Sequence, residues 1–129
     1  MLQTTQMFRA LGDETRLRIL NLLQQRELCV CQIVEVLGLG QSKVSRHLAH
    51  LRSAGFVSDR RDATWMYYSL AEPQGPLHEQ LFECIKVLGR EVPLAVQDVQ
   101  ALNELGSCGD LCQGDLASVE NKQKEKENV

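Results

Sequence analysis

The stretch Gln41-Ser42-Lys43-Val44-Ser45-Arg46-His47-Leu48-Ala49-His50-Leu51-Arg52-Ser53-Ala54 decides the fold. Val44, Leu48 and Leu51 recur at helical spacing, and a period of 3.6 residues gathers them on one face. Ser42, Ser45, Arg46, Ala49 and Ser53 then face outward, a surface that is small, polar and basic. Just upstream, Cys31 to Leu37 predicts a short helix that buries Ile33, Val36 and Leu37 and stops at Gly38, a favoured residue just past a helix end. Gly38-Leu39-Gly40 makes the turn. Two helices joined by a tight glycine-containing turn have the outline of a helix-turn-helix, whose second helix enters the major groove of DNA.

Downstream, after Gly55, the stretches Phe56 to Arg61 and Thr64 to Leu70 are rich in β-branched and aromatic residues and predict a hairpin, the wing. Met66, Tyr68 and Leu70 should point inward, Trp65 and Tyr67 to the other face. Upstream, Gln6 to Gln25 reads as two helices broken at Gly12-Asp13, with Asp13 as N-cap of the second and Leu17 and Leu20 toward the core. Beyond Pro76, Leu77, Leu81, Ile85 and Leu88 form a stripe on a helix suited to dimerisation, with Cys84 expected beside them as a small buried hydrophobe. Gly89 and Pro93 should interrupt that helix, and a further amphipathic piece carries Leu94, Val99, Leu102 and Leu105. The expected division is a winged helix-turn-helix and dimerisation domain over residues 1–105, then a flexible tail over 106–129 that carries Cys108 and Cys112. The fold class is mainly α with a small β-hairpin.

With 43% hydrophobic and 24% charged residues and no apolar run near the roughly 18 residues of a membrane span, the composition fits a globular chain without a membrane partner. No basic segment followed by an apolar one opens the chain, so a cytoplasmic setting is expected. The net charge of −3 is misleading as an average, because Lys43, Arg46, Arg52, Arg60 and Arg61 cluster between Gln41 and Tyr68 against only two acids, Asp59 and Asp62. Five cysteines, an odd count, point to thiols or metal ligands in a reducing cytosol rather than a disulfide scaffold. None of the five sits in a glycine-rich or arginine-bearing anion loop, which argues against a thiol enzyme.

These blocks resemble the ArsR/SmtB family of metal-sensing repressors, the arsenic-responsive members above all. Glu27-Leu28-Cys29-Val30-Cys31 is similar to the family's metalloid-binding motif, and Gln41 to Leu48 to its recognition helix. Asp13 to Leu20 and Trp65 to Leu70 follow the family pattern too, in order and spacing, across residues 6 to 88. The resemblance implies a dimer that represses a resistance operon without the ion and releases DNA on binding it. Three positions depart from the pattern. Val34 stands where the most similar arsenic sensors carry a third cysteine, Asp62-Ala63-Thr64 replaces a glycine-containing wing turn, and His78 lacks the partners of a zinc site on the dimer helix.

On double-stranded operator DNA, Gln41, Ser42, Ser45 and Arg46 would lie nearest the bases, Lys43, Arg60 and Arg61 would grip phosphate, and His47 falls at the edge between base contact and core. Residues i and i+2 sit about 200° apart on a helix, so Cys29 and Cys31 cannot both chelate from an intact one. They must lie at an extended approach to the short helix, or its first turn must distort. Arsenite or antimonite calls for a third thiolate, for which Cys108 and Cys112 are the candidates. If both join, four thiolates suit Cd(II), Pb(II) or Zn(II) better. Oxidation of the same cysteines is the redox alternative.

Overall fold

The structure, a computed structural model, describes residues 1–105. The elements are α1 (Leu2–Leu11), α2 (Glu14–Leu23), β1 (Leu28–Cys29), α3 (Val30–Leu37), α4 (Gln41–Ser53), β2 (Val57–Asp62), β3 (Trp65–Leu70), α5 (Pro76–Glu91) and α6 (Pro93–Asn103). This is a winged helix-turn-helix. The expectation for the tail, residues 106–129, lies outside the described residues.

Local chemistry sets the boundaries. Asp13 caps α2 as expected, its carboxylate accepting from the Arg16 backbone N–H at 3.1 Å. Gly38 ends α3 with φ +69°, a conformation that glycine adopts without steric cost. The hydrophobic positions of α4, Val44, Leu48 and Leu51, are fully buried, together with Ile19, Leu20 and Leu22 of α2 and Ile33 of α3. One core therefore holds α4 and the helix in front of it.

Five expectations need correction. The wing hairpin gains a third strand: β1 pairs antiparallel with β3, giving the order β1-β3-β2. Two residues are too few for a period-2 signal. Cys84 is exposed rather than buried. The core face of α5 is His78, Leu81, Phe82 and Ile85, one helical step round from the stripe expected from Leu77, which is itself 43% exposed. His78 and Phe82 shift the face because their rings interlock with Phe56, Phe56 edge-on to both and His78 stacked on Phe82 at 4.8 Å. Gly89 does not interrupt α5. A Cβ there would lie 2.6 Å from Asn21 Oδ1, so glycine is what lets α5 close on buried Asn21. The alternation expected in β3 is muted: all six residues are half-buried, and of them Tyr68 and Leu70 pack on the core.

A partly buried ion pair with no local sequence signal fixes α6 on α2. Arg18 donates from Nε and Nη2 to the two carboxylate oxygens of Asp98 at 2.8 and 2.9 Å. Asn21 adds a bond to the Ala95 carbonyl at 3.0 Å. Through these contacts α6 also lies against α3.

Candidate DNA interface and cysteine site

Gln41, Ser42, Lys43, Arg46, Ala49 and His50 line the exposed side of α4, and Ser45 is half-exposed. Among the described residues no ion pair engages Lys43, Arg46 or Arg61. Their charge is uncompensated by neighbours, the condition in which a cation gains most from phosphate. Gly40 starts α4 without a side-chain cap, so no N-cap side chain occupies the first-turn N–H groups of the helix.

His47 behaves differently from its neighbours. It is half-buried, and its Nδ1 lies 3.2 Å from Arg16 Nη1. Arg16 donates from Nε to the Ala10 carbonyl at 2.7 Å and from Nη2 to the Arg9 carbonyl at 3.1 Å. One guanidinium thus ties the last turn of α1 to α4. Because Arg16 can only donate, His47 Nδ1 accepts, which requires the neutral ring. Burial, aided by the positive charge of Arg16, Lys43 and Arg46 and opposed by Asp13, holds the His47 pKa below its ordinary value. Sequence reasoning missed Arg16, whose bonds reach across the α1–α2 break and to His47, 31 positions away, outside any helical or strand period.

The two wing arginines also part company. Arg61 is exposed and unpaired among the described residues. Arg60 is clasped by Glu27 and lies 4.7 Å from the centroid of the Tyr67 ring. Arg52 pairs with Asp59, bracing α4 against β2. At the wing tip Ala63 has φ +60°, the left-handed conformation that the family's glycine would adopt freely.

Cys29 and Cys31 straddle a change of backbone. Cys29 is the N-cap of α3 with extended dihedrals, φ −92° and ψ 163°, and it pairs with Tyr67 as the end of β1. Cys31 lies in the first turn of α3. Of the two geometries open to the pair, the structure shows the extended approach on one side and an intact first turn on the other. The Cys29 backbone N–H donates to Gln32 Oε1 at 3.0 Å, half of a capping box that pins this helix start. Both sulfurs are disulfide-bonded, the oxidised counterpart of the thiolates that a soft ion needs. Among the described residues no group of three His, Cys, Asp or Glu side chains converges as a metal site. Cys108 and Cys112 lie outside the described residues. No described helix is long and apolar enough to cross a membrane.

Residues 13–59 match the family described as bacterial regulatory protein, arsR family. The arsenic resistance transcriptional regulator ArsR1 of Pseudomonas putida is 49% identical over 70 residues, 54% of this chain and 54% of its own. The chain thus spans about half the length of that relative. ArsR2 of the same organism is 45% identical over 84 residues, 63% of this chain and 72% of its own. Among solved structures, a homodimeric winged helix-turn-helix DNA-binding domain from Mycobacterium bovis, a possible ArsR-family regulator, superposes with a TM-score of 0.58 at 35% identity, covering 69% of this chain and 80% of that one. These relatives are transcriptional regulators, not enzymes. The chain belongs to the ArsR family of bacterial regulatory proteins, and the winged helix-turn-helix built around α3 and α4 is the fold it shares with them.

Proposed function

We propose that the protein is a homodimeric, metalloregulated repressor that holds operator DNA in its ion-free form and leaves it when arsenite or antimonite engages its cysteine thiolates. The observation that carries this reading is the adjacency of two features. A reading helix with an open polar and basic face packs directly on a helix that begins between two cysteines. Relatives described as arsenic resistance regulators support the choice of ion.

On DNA, a dimer lays two copies of α4 in successive major grooves, roughly 34 Å apart. Gln41, Ser42, Ser45 and Arg46 face base edges, Lys43 and Arg61 grip phosphate, and Arg60 joins them when its pair with Glu27 opens. His47 serves from behind, through Arg16. Apolar side chains are available to a second copy on two helices: Leu2 and Phe8 on α1, Leu77 and Val87 on α5 are all exposed.

The cysteine site suits a thiophilic ion once reduced. Cys29 and Cys31 are soft donors, and the start of a helix favours their thiolate form. Cys108 or Cys112 supplies the third sulfur. The chain leaves for Cys108 only three residues past Leu105, a reach of at most about 10 Å, from a helix packed on α3. If both tail cysteines bind, the four-thiolate set selects Cd(II), Pb(II) or Zn(II) instead.

Anisotropy of a labelled duplex from the protein's own promoter, titrated with arsenite, antimonite and Cd(II) under reducing conditions, tests the reading. Arsenite and antimonite are expected to weaken binding by about 5- to 150-fold, the usual range of allosteric coupling. Stronger release by Cd(II) would favour the four-thiolate alternative, and no response to any ion would refute metalloregulation. X-ray absorption on the loaded protein and on Cys108→Ser and Cys112→Ser variants counts the sulfurs. The disulfide-bonded state of Cys29 and Cys31 favours thiol redox control as a second reading. Release by peroxide that dithiothreitol reverses, with no ion present, would support it.

A further inference from the structure

The sheet order puts the cysteine strand and the wing in one line. Cys29 is opposite Tyr67 on β3, and Tyr67 is opposite Arg60 on β2. Directly opposed residues on antiparallel strands share a face, so these three form a transverse row. Glu27, two residues before Cys29, closes the row back on itself. Arg60 donates from Nε to Glu27 Oε2 at 2.7 Å and from Nη2 to Oε1 at 2.8 Å, while its guanidinium lies over Tyr67. Asp62 adds a looser contact at 3.8 Å. The fork that clasps a carboxylate is the same fork that clasps a phosphate. Glu27 therefore occupies the group that DNA would use. Arg60 and Glu27 are both exposed, and a pair this open to water is weak enough to exchange.

We infer that Glu27 is an internal competitor for Arg60: the strand that leads to Cys29 withholds one wing arginine from DNA phosphate and so couples the cysteine site to the wing's grip. Glu27 is in this sense a positioning residue, acting on DNA only through Arg60. The competition itself needs no ion, whereas its regulatory use rests on the metalloregulated reading proposed above. A displacement of Cys29 moves β1 and with it the carboxylate that sets how much of Arg60 is available. The reading helix is then not the only element that the cysteines address.

Glu27→Gln keeps the shape of the side chain and removes the charge at an exposed position, so the full-length dimer should fold unchanged, as a thermal melt will verify. Operator affinity is measured against KCl concentration without any ion. The variant is expected to bind about 3- to 10-fold tighter near 0.1 M salt, and its log–log salt slope to steepen by about 1.8, two phosphate contacts per dimer at about 0.9 each. Arg60→Ala should reverse both changes in the Glu27→Gln background and do little in the wild type. An unchanged slope, or an equal loss from Arg60→Ala in both backgrounds, overturns the competition. A second arm adds arsenite. Wild-type release with a smaller response in Glu27→Gln supports the coupling, and an equal response overturns it while leaving metalloregulation intact. If the wild type itself ignores arsenite, the parent reading fails, and the salt slope alone decides the competition.

Discussion

The outer face of α4 carries the polar and basic groups proposed to read DNA, fixed from behind by fully buried Val44, Leu48 and Leu51. At the start of α3, by contrast, two cysteines sit across a strand-to-helix junction, and the third sulfur their proposed ligand demands must come from beyond α6. The difference teaches how one small fold can both read and respond. Under the proposed function, the reader is held by one packed core and the trigger is assembled from separate segments. The capping bond from Cys29 to Gln32 and the Glu27–Arg60 clasp are the small, exchangeable contacts on the trigger side.

The largest effect should come from cutting the support of the reader. Leu48→Ala, at a fully buried position, is expected to cost roughly 2 to 5 kcal/mol by urea denaturation and to take DNA binding with it. Under reducing conditions, with its disulfide open, Cys31→Ala, half-buried at the helix start, should cost less than about 1 kcal/mol while silencing the ion response. Equal destabilisation by the two would erase the contrast between reader and trigger. Next comes the brace that positions α6. Asp98→Ala strands Arg18, whose side chain keeps 20% exposure, and a loss of about 1 to 3 kcal/mol in stability is expected. Stability unchanged from wild type would show that α6 is held by packing alone.

How much of this was legible in the sequence follows from the range of each interaction. The period of Val44, Leu48 and Leu51, the Asp13 cap and the Gly38 stop are local signals, and the structure reproduces them. Arg18 with Asp98 and Glu27 with Arg60 join residues 80 and 33 positions apart, and nothing in a single sequence pairs them. The stripe of aliphatics predicts a buried Cys84, whereas the ring cluster of Phe56, His78 and Phe82 turns α5 and leaves that cysteine exposed. Cys29 and Cys31 were legible as a pair, but not the two-residue strand that ties one of them to the wing.

Two substitutions sharpen the reader itself. Arg46→Ala should weaken specific operator binding by roughly 1 to 3 kcal/mol without moving the melting temperature, since Arg46 is exposed. A gel-shift titration indistinguishable from wild type would remove Arg46 from the base contacts. Ala63→Gly at the wing tip should stabilise the protein by up to about 1 kcal/mol, because glycine takes φ near +60° without the steric cost that alanine bears. Destabilisation on thermal melting would mean that the tip is not left-handed.

A smaller effect depends on pH. Burial pushes the pKa of His78 below its ordinary 6.5, so folding favours the neutral ring. Its contribution to stability is present in full above pH 6.5 and is lost as pH falls, because the unfolded chain takes up the proton first. Nδ1 accepts from the Gln74 backbone N–H at 2.9 Å, a bond that a protonated ring cannot keep. Stability measured between pH 7.5 and 5.5 should decline less in His78→Gln than in the wild type. Parallel curves would show that His78 does not set the slope.

The most direct test of metalloregulation is operator release by arsenite in a protein with Cys29 and Cys31 both replaced by serine, under reducing conditions. The variant should bind its promoter as tightly as the wild type and stay bound at arsenite concentrations that empty the wild-type complex. Release of the doubly substituted protein at the wild-type concentration would contradict the assignment of the sensing site to the start of α3.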